Sequence, residues 1–531
     1  MAAAGAEDGV PSKVNQRYDR QLRLWGDHGQ AALSSASICC IGASAVATEI
    51  LKNLVLPGIG AFTLVDDRDV TLRDTGSNFF VEEGRLGEPR AQVATELLLE
   101  MNEFVKGEWR RGHITEILRD DPSFLQKFTV VVVANQLAST VSAVAKSLYE
   151  SNIPLVVAVA YGNIGSLQIV VKEHCVVEYH GDKTLDMRLT NPFPALAAFM
   201  DGFPPMEEMD PSKVDGLPYA VIIYQHLQRW KAAHGGNIPG SYAEKKEFKA
   251  QMKAGEAGKK RTLPLNLSEA MDRLNPSIAP SNGLAKVAPL LAKCRAHPIN
   301  AEASDFWIMV DALSKFVDAT GDLPLIGSIP DMDANSEVYM ALQQVYRDKA
   351  AEDQAVVAST VADTLIALGR APDAVSDAEI KRFCQNAGKL LVLSTPAYGA
   401  PLSEAKMAEF EGALGQLNSE VGWWLLLQAA DRFHVQNGHY PGHFDAVEDD
   451  IVKLKDCVTA MLEEGKIAAT LSDDSIHELC RWGAIQLHSV SSFIGGAGSQ
   501  EVVKLVTKQY APLNSVFIYN GITANCTQIS L

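Results

Sequence analysis

The sequence predicts an α/β fold: a mostly parallel, doubly wound sheet interrupted by a large, mainly helical insertion. Three observations carry this. Residues 37–69 read as strand, tight turn, helix, turn, strand. Apolar runs then alternate with helical patterns as far as Lys172, as parallel strands joined by crossover helices do. After a long helical stretch, the chain from Ser489 onward returns to the first style.

The opening unit is the clearest. Ile38–Ile41 is apolar and uncharged, as a strand buried on both faces requires, and Gly42 ends it. Ala45–Leu56 carries Val46, Ile50 and Leu54 on one helical face, and Pro57, Gly58 and Gly60 stop the helix. Ala61–Val65 is a second buried strand, closed by Asp66 and Asp67. This is the first half of a Rossmann-like, nucleotide-binding βαβ unit. Asp66 falls some two dozen residues after Gly42, near the spacing of an acid that holds a ribose.

The glycine fingerprint is damaged. A G-x-G-x-x-G starting at Gly42 needs glycine at positions 44 and 47, and the chain has Ser44 and Ala47 there. The second glycine lets backbone N–H groups approach a pyrophosphate, and a side chain blocks that approach. Gly42, Ser44, Ala47 and Asp66 therefore read as a vestigial cofactor site.

The remaining elements follow in order. Val70–Arg90 reads as loop, residues 91–105 as an amphipathic helix, and His113–Leu118 as a strand. Phe128–Ala134, Pro154–Ala160 and Ile164–Lys172 read as strands, with a helix over Ala138–Ser151. From Glu173 to about Asp474 the pattern is helical. Ser489–Thr507 is a helix with a small-residue face at Gly495, Gly496 and Gly498, suited to packing on a sheet, and Ser515–Tyr519 is a strand. The expected organisation is a disordered stretch over 1–14, an α/β domain over 15–172 and 479–531, and a helical insertion over 173–478.

Composition narrows the function. With 531 residues, several cores are expected, and 47% hydrophobic residues are ample for them. A net charge of −18 argues against direct binding to nucleic acid or anionic membranes. The N-terminal residues lack the apolar region of a signal peptide, and no apolar run is long enough for a membrane span. The eight cysteines are scattered without C-x-x-C spacing, so neither a metal site nor a disulfide framework is expected, and the reducing cytoplasm or nucleus is the expected setting.

The arm Asn15–Gly29 places Arg17, Arg20 and Arg23 at helical spacing with Leu22, Leu24 and Trp25 between them. The arginines fit either a solvated face or phosphate contacts, for which Arg is the preferred residue.

Taken together, the R-Y-D-R-Q-L-R-L-W-G arm, the I-L-K-N-L-V-L-P-G-I-G-A-F-T-L-V-D unit, S-N-F-F and I-G-G-A-G-S-Q-E-V-V-K resemble the adenylation fold of the ubiquitin-activating enzyme family. Nearly the whole chain is similar to the non-catalytic subunits of its heterodimeric neddylation branch. The resemblance implies a catalytic subunit and the neddylation modifier, a ubiquitin-like protein, as partners. It also implies that ATP and Mg²⁺ are bound by that partner, with no cofactor in this chain. The insertion would correspond to a catalytic-cysteine domain without its cysteine, forming one wall of the modifier's cleft.

Matched residue by residue, the family's adenylation machinery is mostly missing. Ser44 and Ala47 replace glycines, Arg68 stands at the second ribose-side acid, Val81 at an arginine and Arg90 at a lysine. The metal-side aspartate would fall near Ala134–Gln136. Each lost charge-assisted contact costs roughly 1.5–3 kcal/mol. The resemblance leaves Arg20 as the one catalytic residue, reaching in trans to the partner's ATP phosphates, with Arg17 as the alternative. Among the insertion's cysteines, Cys457 reads as core, and Cys294, near Arg295 and His297, reads as an ordinary loop or helix-end cysteine in preference to one with a lowered thiol pKa. The Cys526-Thr527 pair lies outside the insertion. A partner-contact segment is expected at Asp331–Gln344, involving Asp331, Tyr339, Leu342 and Gln344, with Tyr339 and Leu342 exposed on a short helix or else in a domain core.

Three other functions fit parts of the sequence: a self-sufficient adenylating enzyme with a degenerate phosphate loop, a nicotinamide-dependent enzyme using Asp66, and a scaffold subunit in which Arg20 is replaceable.

Overall fold

A computed structural model of the chain describes residues 13–180, 186–254, 264–279, 282–414 and 419–530. Of the stretch expected to be disordered, residues 1–12 lie outside the described residues, and Lys13 already begins a helix. The chain forms two compact units, one of residues 1–176 and 392–531, the other of residues 177–391.

The first unit is built on an eight-stranded sheet. Its strands are β1 (Ser37–Ile41), β2 (Ala61–Asp66), β3 (Lys106–Arg111), β4 (Val130–Ala134), β5 (Leu155–Tyr161), β6 (Ile164–Val170), β7 (Val516–Asn520) and β8 (Asn525–Ile529). Their order is β8-β7-β6-β5-β4-β1-β2-β3. The pairs from β3 across to β5 are parallel, and those from β5 to β8 are antiparallel. In register, Cys40 faces Leu64 on one side and Val132 on the other.

Burial on both faces explains the apolar strand sequences. Ile38, Cys40, Val130, Val132, Val156 and Ala158 point into one core, under the helices Ala45–Val55 and His488–Thr507. Cys39, Ile41, Val131, Val133 and Val157 point into another, under the helix Ala138–Tyr149. A strand with a core on each side has no polar face to alternate with.

Three expectations change. His113–Leu118 is not a strand: Ile114–Asp120 is helical, and the strand lies earlier, at the polar edge segment Lys106–Arg111. Residues 70–90 contain a helical turn at Leu72–Thr75 and a short 3-10 turn at Glu83–Arg85. Residues 392–478, read as insertion, cluster with the α/β unit. The physical reason is packing: Leu426, Phe433, Leu454 and Leu479 share a core with Tyr161, Ile164, Val516 and Ile518 of the sheet.

The small-residue face of the helix His488–Thr507 packs mainly against another helix. A Cβ on Gly495 would lie 2.4 Å from Glu49 Cβ, and one on Gly498 would lie 3.1 Å from Ile50 and 3.2 Å from Leu167 of β6.

The second unit is predominantly helical around a core that includes Trp230, Tyr219, Phe248 and Tyr346. Its longest helix, Ser336–Ala367, is capped by the Asn335 side chain, which accepts from Glu337 N and Val338 N. Leu342, Tyr346, Val357, Val361 and Leu365 form its buried stripe. Of the two readings of the expected contact segment, the core one holds for Leu342 and Tyr339. Leu342 is fully buried, and Tyr339 is half-buried against the core with its hydroxyl donating to Pro330 O at 3.3 Å. Asp331 and Gln344 remain exposed, and Gln344 donates to Asp348 at 2.6 Å.

Candidate functional site: a closed phosphate turn and an arginine arm

The sheet order reverses at β1, which lies between β4 and β2, and ligands of such sheets bind beyond the carboxyl ends at that switch point. A cavity of about 1010 Å³ opens there, lined by residues following β2 and β4, including Asp67, Arg68, Asn135 and Gln136.

The turn that would cradle phosphates is closed from within. Gly42 has φ +91°, and a Cβ on it would lie 2.5 Å from Ala134 O and Gln136 Nε2, so only glycine fits. Beyond it, three of the backbone N–H groups have side-chain acceptors. Ala43 N donates to Asp66 Oδ2. Val46 N donates to Gln486 Oε1 at 3.5 Å, and Ala47 N to Ser44 Oγ at 3.4 Å. Ser44 is the N-cap of the helix Ala45–Val55 and is buried. A helix N-terminus binds an anion through free N–H groups. Here side chains of the chain itself take three of those positions.

Asp66 is engaged in the same way. Oδ1 accepts from Arg68 N at 2.8 Å, and Oδ2 from Arg90 Nε at 3.2 Å and Nη2 at 2.6 Å. Arg90 also reaches Asp74 at 2.6 Å. Asp66 and Arg90 are both buried, so neither is presented to a ribose. Burial works against the Arg90 charge, but Asp66 and Asp74 outweigh it and hold the guanidinium above its ordinary pKa. Burial also opposes ionisation of Asp74, yet Arg90 and Thr71 hold its carboxyl below the usual range.

The other family positions have become structural. Val81 is buried in an apolar cluster with Val70 and Val93. Asn78 braces the turn, accepting from Thr48 Oγ1 at 2.8 Å and Phe80 N at 3.0 Å. At the metal-side position, Asn135 exchanges hydrogen bonds with the Ala160 backbone at 2.8 and 2.9 Å. Among the described residues no group of three or more His, Cys, Asp or Glu side chains is placed to hold a metal.

The rest of the cavity wall comes from residues that the sequence did not single out. Arg73 donates to Gly483 O at 2.5 Å and contacts His443 Nδ1 at 2.8 Å. Burial pushes the Asp431 carboxyl up to about 6, against hydrogen bonds from Ala138 N and Tyr440. Burial, with Arg68, His439 and His443 adding to it, lowers the His434 pKa. Gln486 reaches the turn, and Asp431 the cavity wall, from more than 380 residues further along the chain than Gly42, and no spacing rule connects them.

The arginine arm lies elsewhere on the same unit. Lys13–Ser35 is helical with a bend at Gly26 (φ 69°). Arg17 donates to Met101 O at 2.9 Å, and Arg23 pairs with Asp19 at 2.9 Å. Arg20 is exposed and has no hydrogen bond or ion pair among the described residues. Of the two candidate arginines, the geometry leaves Arg20 available and engages Arg17.

Neither Cys294 nor Cys457 is activated. Burial, with Asp311 adding to it, pushes the Cys294 thiol up to about 11; Arg295 instead reaches Asp318 at 2.5 Å. Of the two readings of Cys294, the ordinary helix-end cysteine is the one the structure supports. Cys457 is buried, and burial raises its pKa as well. Cys526 is exposed on the edge strand β8.

A sheet of this order, with its switch-point cleft and crossover glycine turn, defines a ThiF-type fold, and the ThiF family model matches residues 18–531. The chain is 40% identical over 517 residues to the "NEDD8-activating enzyme E1 regulatory subunit" of Xenopus laevis, covering 95% of this chain and 96% of that one. It is 36% identical to the "NEDD8-activating enzyme E1 regulatory subunit AXR1" of Arabidopsis thaliana, over 95% of this chain and 94% of that one. The chain belongs to the ThiF family and, within it, to the NEDD8-activating enzyme E1 regulatory subunits.

Proposed function

We propose that the chain is the non-catalytic subunit of a heterodimeric enzyme that activates the modifier NEDD8. Its partner, the catalytic subunit, binds ATP and Mg²⁺, adenylates the modifier and carries it as a thioester. This chain completes the partner's ATP site with Arg20. The observation that carries the reading is the turn itself: Asp66, Ser44 and Gln486 occupy three of the N–H groups that a nucleotide's phosphates would use. Cys294 and Cys457, buried with their thiol pKa raised, support it, since a thioester requires a thiolate.

The available Arg20 fits the complementary role. A guanidinium beside the γ-phosphate stabilises bound ATP and the charge that redistributes during adenylation. Such a cation acts only if it is free of internal partners. Eight cysteines without a disulfide fit a cytoplasmic or nuclear setting.

Equilibrium binding of ATP to the purified heterodimer tests the reading through stoichiometry. One ATP per heterodimer is expected. Two would mean that this chain's own turn accepts nucleotide, and would overturn it.

A further inference from the structure

The arm that carries Arg20 is fastened to its unit by buried polar contacts as well as by apolar packing. Tyr18 and Trp25 lie on its inner face, 4% and 9% exposed, while Arg20, Arg23 and Leu24 face outward. The Tyr18 hydroxyl accepts from Asn102 Nδ2 at 2.9 Å. That amide, 1% exposed, also donates to Val55 O at 2.7 Å, and its Oδ1 accepts from Phe104 N at 3.3 Å.

Gly58 makes the room. It has φ +82°, and a Cβ on it would lie 2.4 Å from the Tyr18 oxygen. Beyond Tyr18 the arm is tied again: Gln509 Nε2 donates to Trp25 O at 2.9 Å and Gln30 Nε2 to Pro57 O at 3.0 Å.

Apolar packing alone leaves a surface helix free to roll or slide by fractions of an ångström. A buried hydrogen bond between two side chains fixes one rotation and one axial register. A cation that must meet a phosphate is sensitive to such shifts, since a misplacement of about 1 Å can cost a hundredfold in rate.

We propose that Tyr18 and Asn102, with Gly58 giving them space, are positioning residues that set the rotation and register of the arm, so that Arg20 reaches the ATP phosphates in the partner subunit. This rests on the reading that Arg20 acts in trans. It adds that the P-G-I-G turn, which in sequence merely ends a helix, also seats the arm.

The test is a double-mutant cycle in the full heterodimer. Tyr18→Phe keeps the ring and removes the hydroxyl. ATP–pyrophosphate exchange is measured at varied ATP for wild type, Tyr18→Phe, Arg20→Ala and the double variant, with heterodimer formation checked by size exclusion. The expected result is a loss of about three- to tenfold in kcat/KM for ATP from Tyr18→Phe when Arg20 is present, and no further loss in the Arg20→Ala background. An equal loss in both backgrounds would show a merely structural hydroxyl and overturn the proposal, as would no loss in either. If Arg20→Ala itself has no effect, the in-trans reading fails first, and the positioning role falls with it.

Discussion

Arg90 Nη2 lies 2.6 Å from Asp66 Oδ2, with both side chains almost fully buried. The acid that a nucleotide-binding unit offers to a ribose is here bound to an arginine of the same chain. Arg90 also holds Asp74, so one guanidinium serves two carboxylates and locks β2 to the loop after it. The three side chains form one joint between β2, the turn at Leu72–Thr75 and the start of the helix Arg90–Leu99.

That joint should matter for stability. Arg90→Met leaves two carboxylates without their cation, and removing one partner of a buried pair typically costs about 3–5 kcal/mol. Urea unfolding should show a loss of this size. The pH dependence follows from Asp74, whose folded pKa is depressed. Its contribution is present above the unfolded value of about 3.9 and is lost as pH falls through the folded one. Arg90→Met should remove that acid-side loss.

Asp431 gives the opposite sign. Its carboxyl sits at about 6 in the fold against an ordinary 3.8. Its contribution is therefore fully present below pH 3.8 and is lost as pH rises from there through 6. Asp431→Asn stays neutral throughout. Relative to wild type, its Tm should be more favourable at pH 7 than at pH 4; a difference that does not change with pH would contradict the assignment.

Two neighbouring glycines of one helix should behave differently. A Cβ at Gly495 would meet Glu49 Cβ at 2.4 Å, whereas one at Gly496 would meet nothing within 4 Å. Gly495→Ala should cost about 1–3 kcal/mol through overpacking. Gly496→Ala should be neutral or stabilise by up to about 1 kcal/mol, because alanine loses less backbone freedom in a helix. Thermal unfolding of the two variants separates the cases.

Cysteine labelling reads the thiol environments. Cys526 is exposed, while Cys294 is buried with its thiol pushed up to about 11. Iodoacetamide at neutral pH should modify Cys526 well before Cys294. Cys294→Ser should leave thioester formation by the heterodimer unchanged.

The parts legible in the sequence were those where local pattern and burial agree. Ile38–Ile41, the helix from Ala45 and the strand from Ala61 could be read because a sheet buried on both faces writes itself as apolar runs. The edge strands could not. Lys106–Arg111 and Asn525–Ile529 are polar because one side of each lacks a neighbouring strand. The helices after residue 392 were assigned to the insertion because a helical stripe shows that a face is buried and not what it is buried against. The same ambiguity leaves Leu342 open between contact and core in the sequence, and its stripe faces its own unit's core. At the site, the substitutions Ser44, Ala47, Val81 and Arg90 were visible as departures from a motif. That Gln486 and Asp66 would fill the vacated positions required the fold, because the first comes from the far end of the chain.

The central claim is that this chain binds no nucleotide productively and contributes Arg20 to its partner's site. The most direct measurement is ATP–pyrophosphate exchange in the presence of NEDD8, for this chain alone, for the catalytic partner alone, and for the two together with Arg20 or Arg20→Ala. The account predicts exchange only in the mixture, depressed several-fold or more by Arg20→Ala. Exchange by this chain alone, or exchange in the mixture indifferent to Arg20, would contradict it.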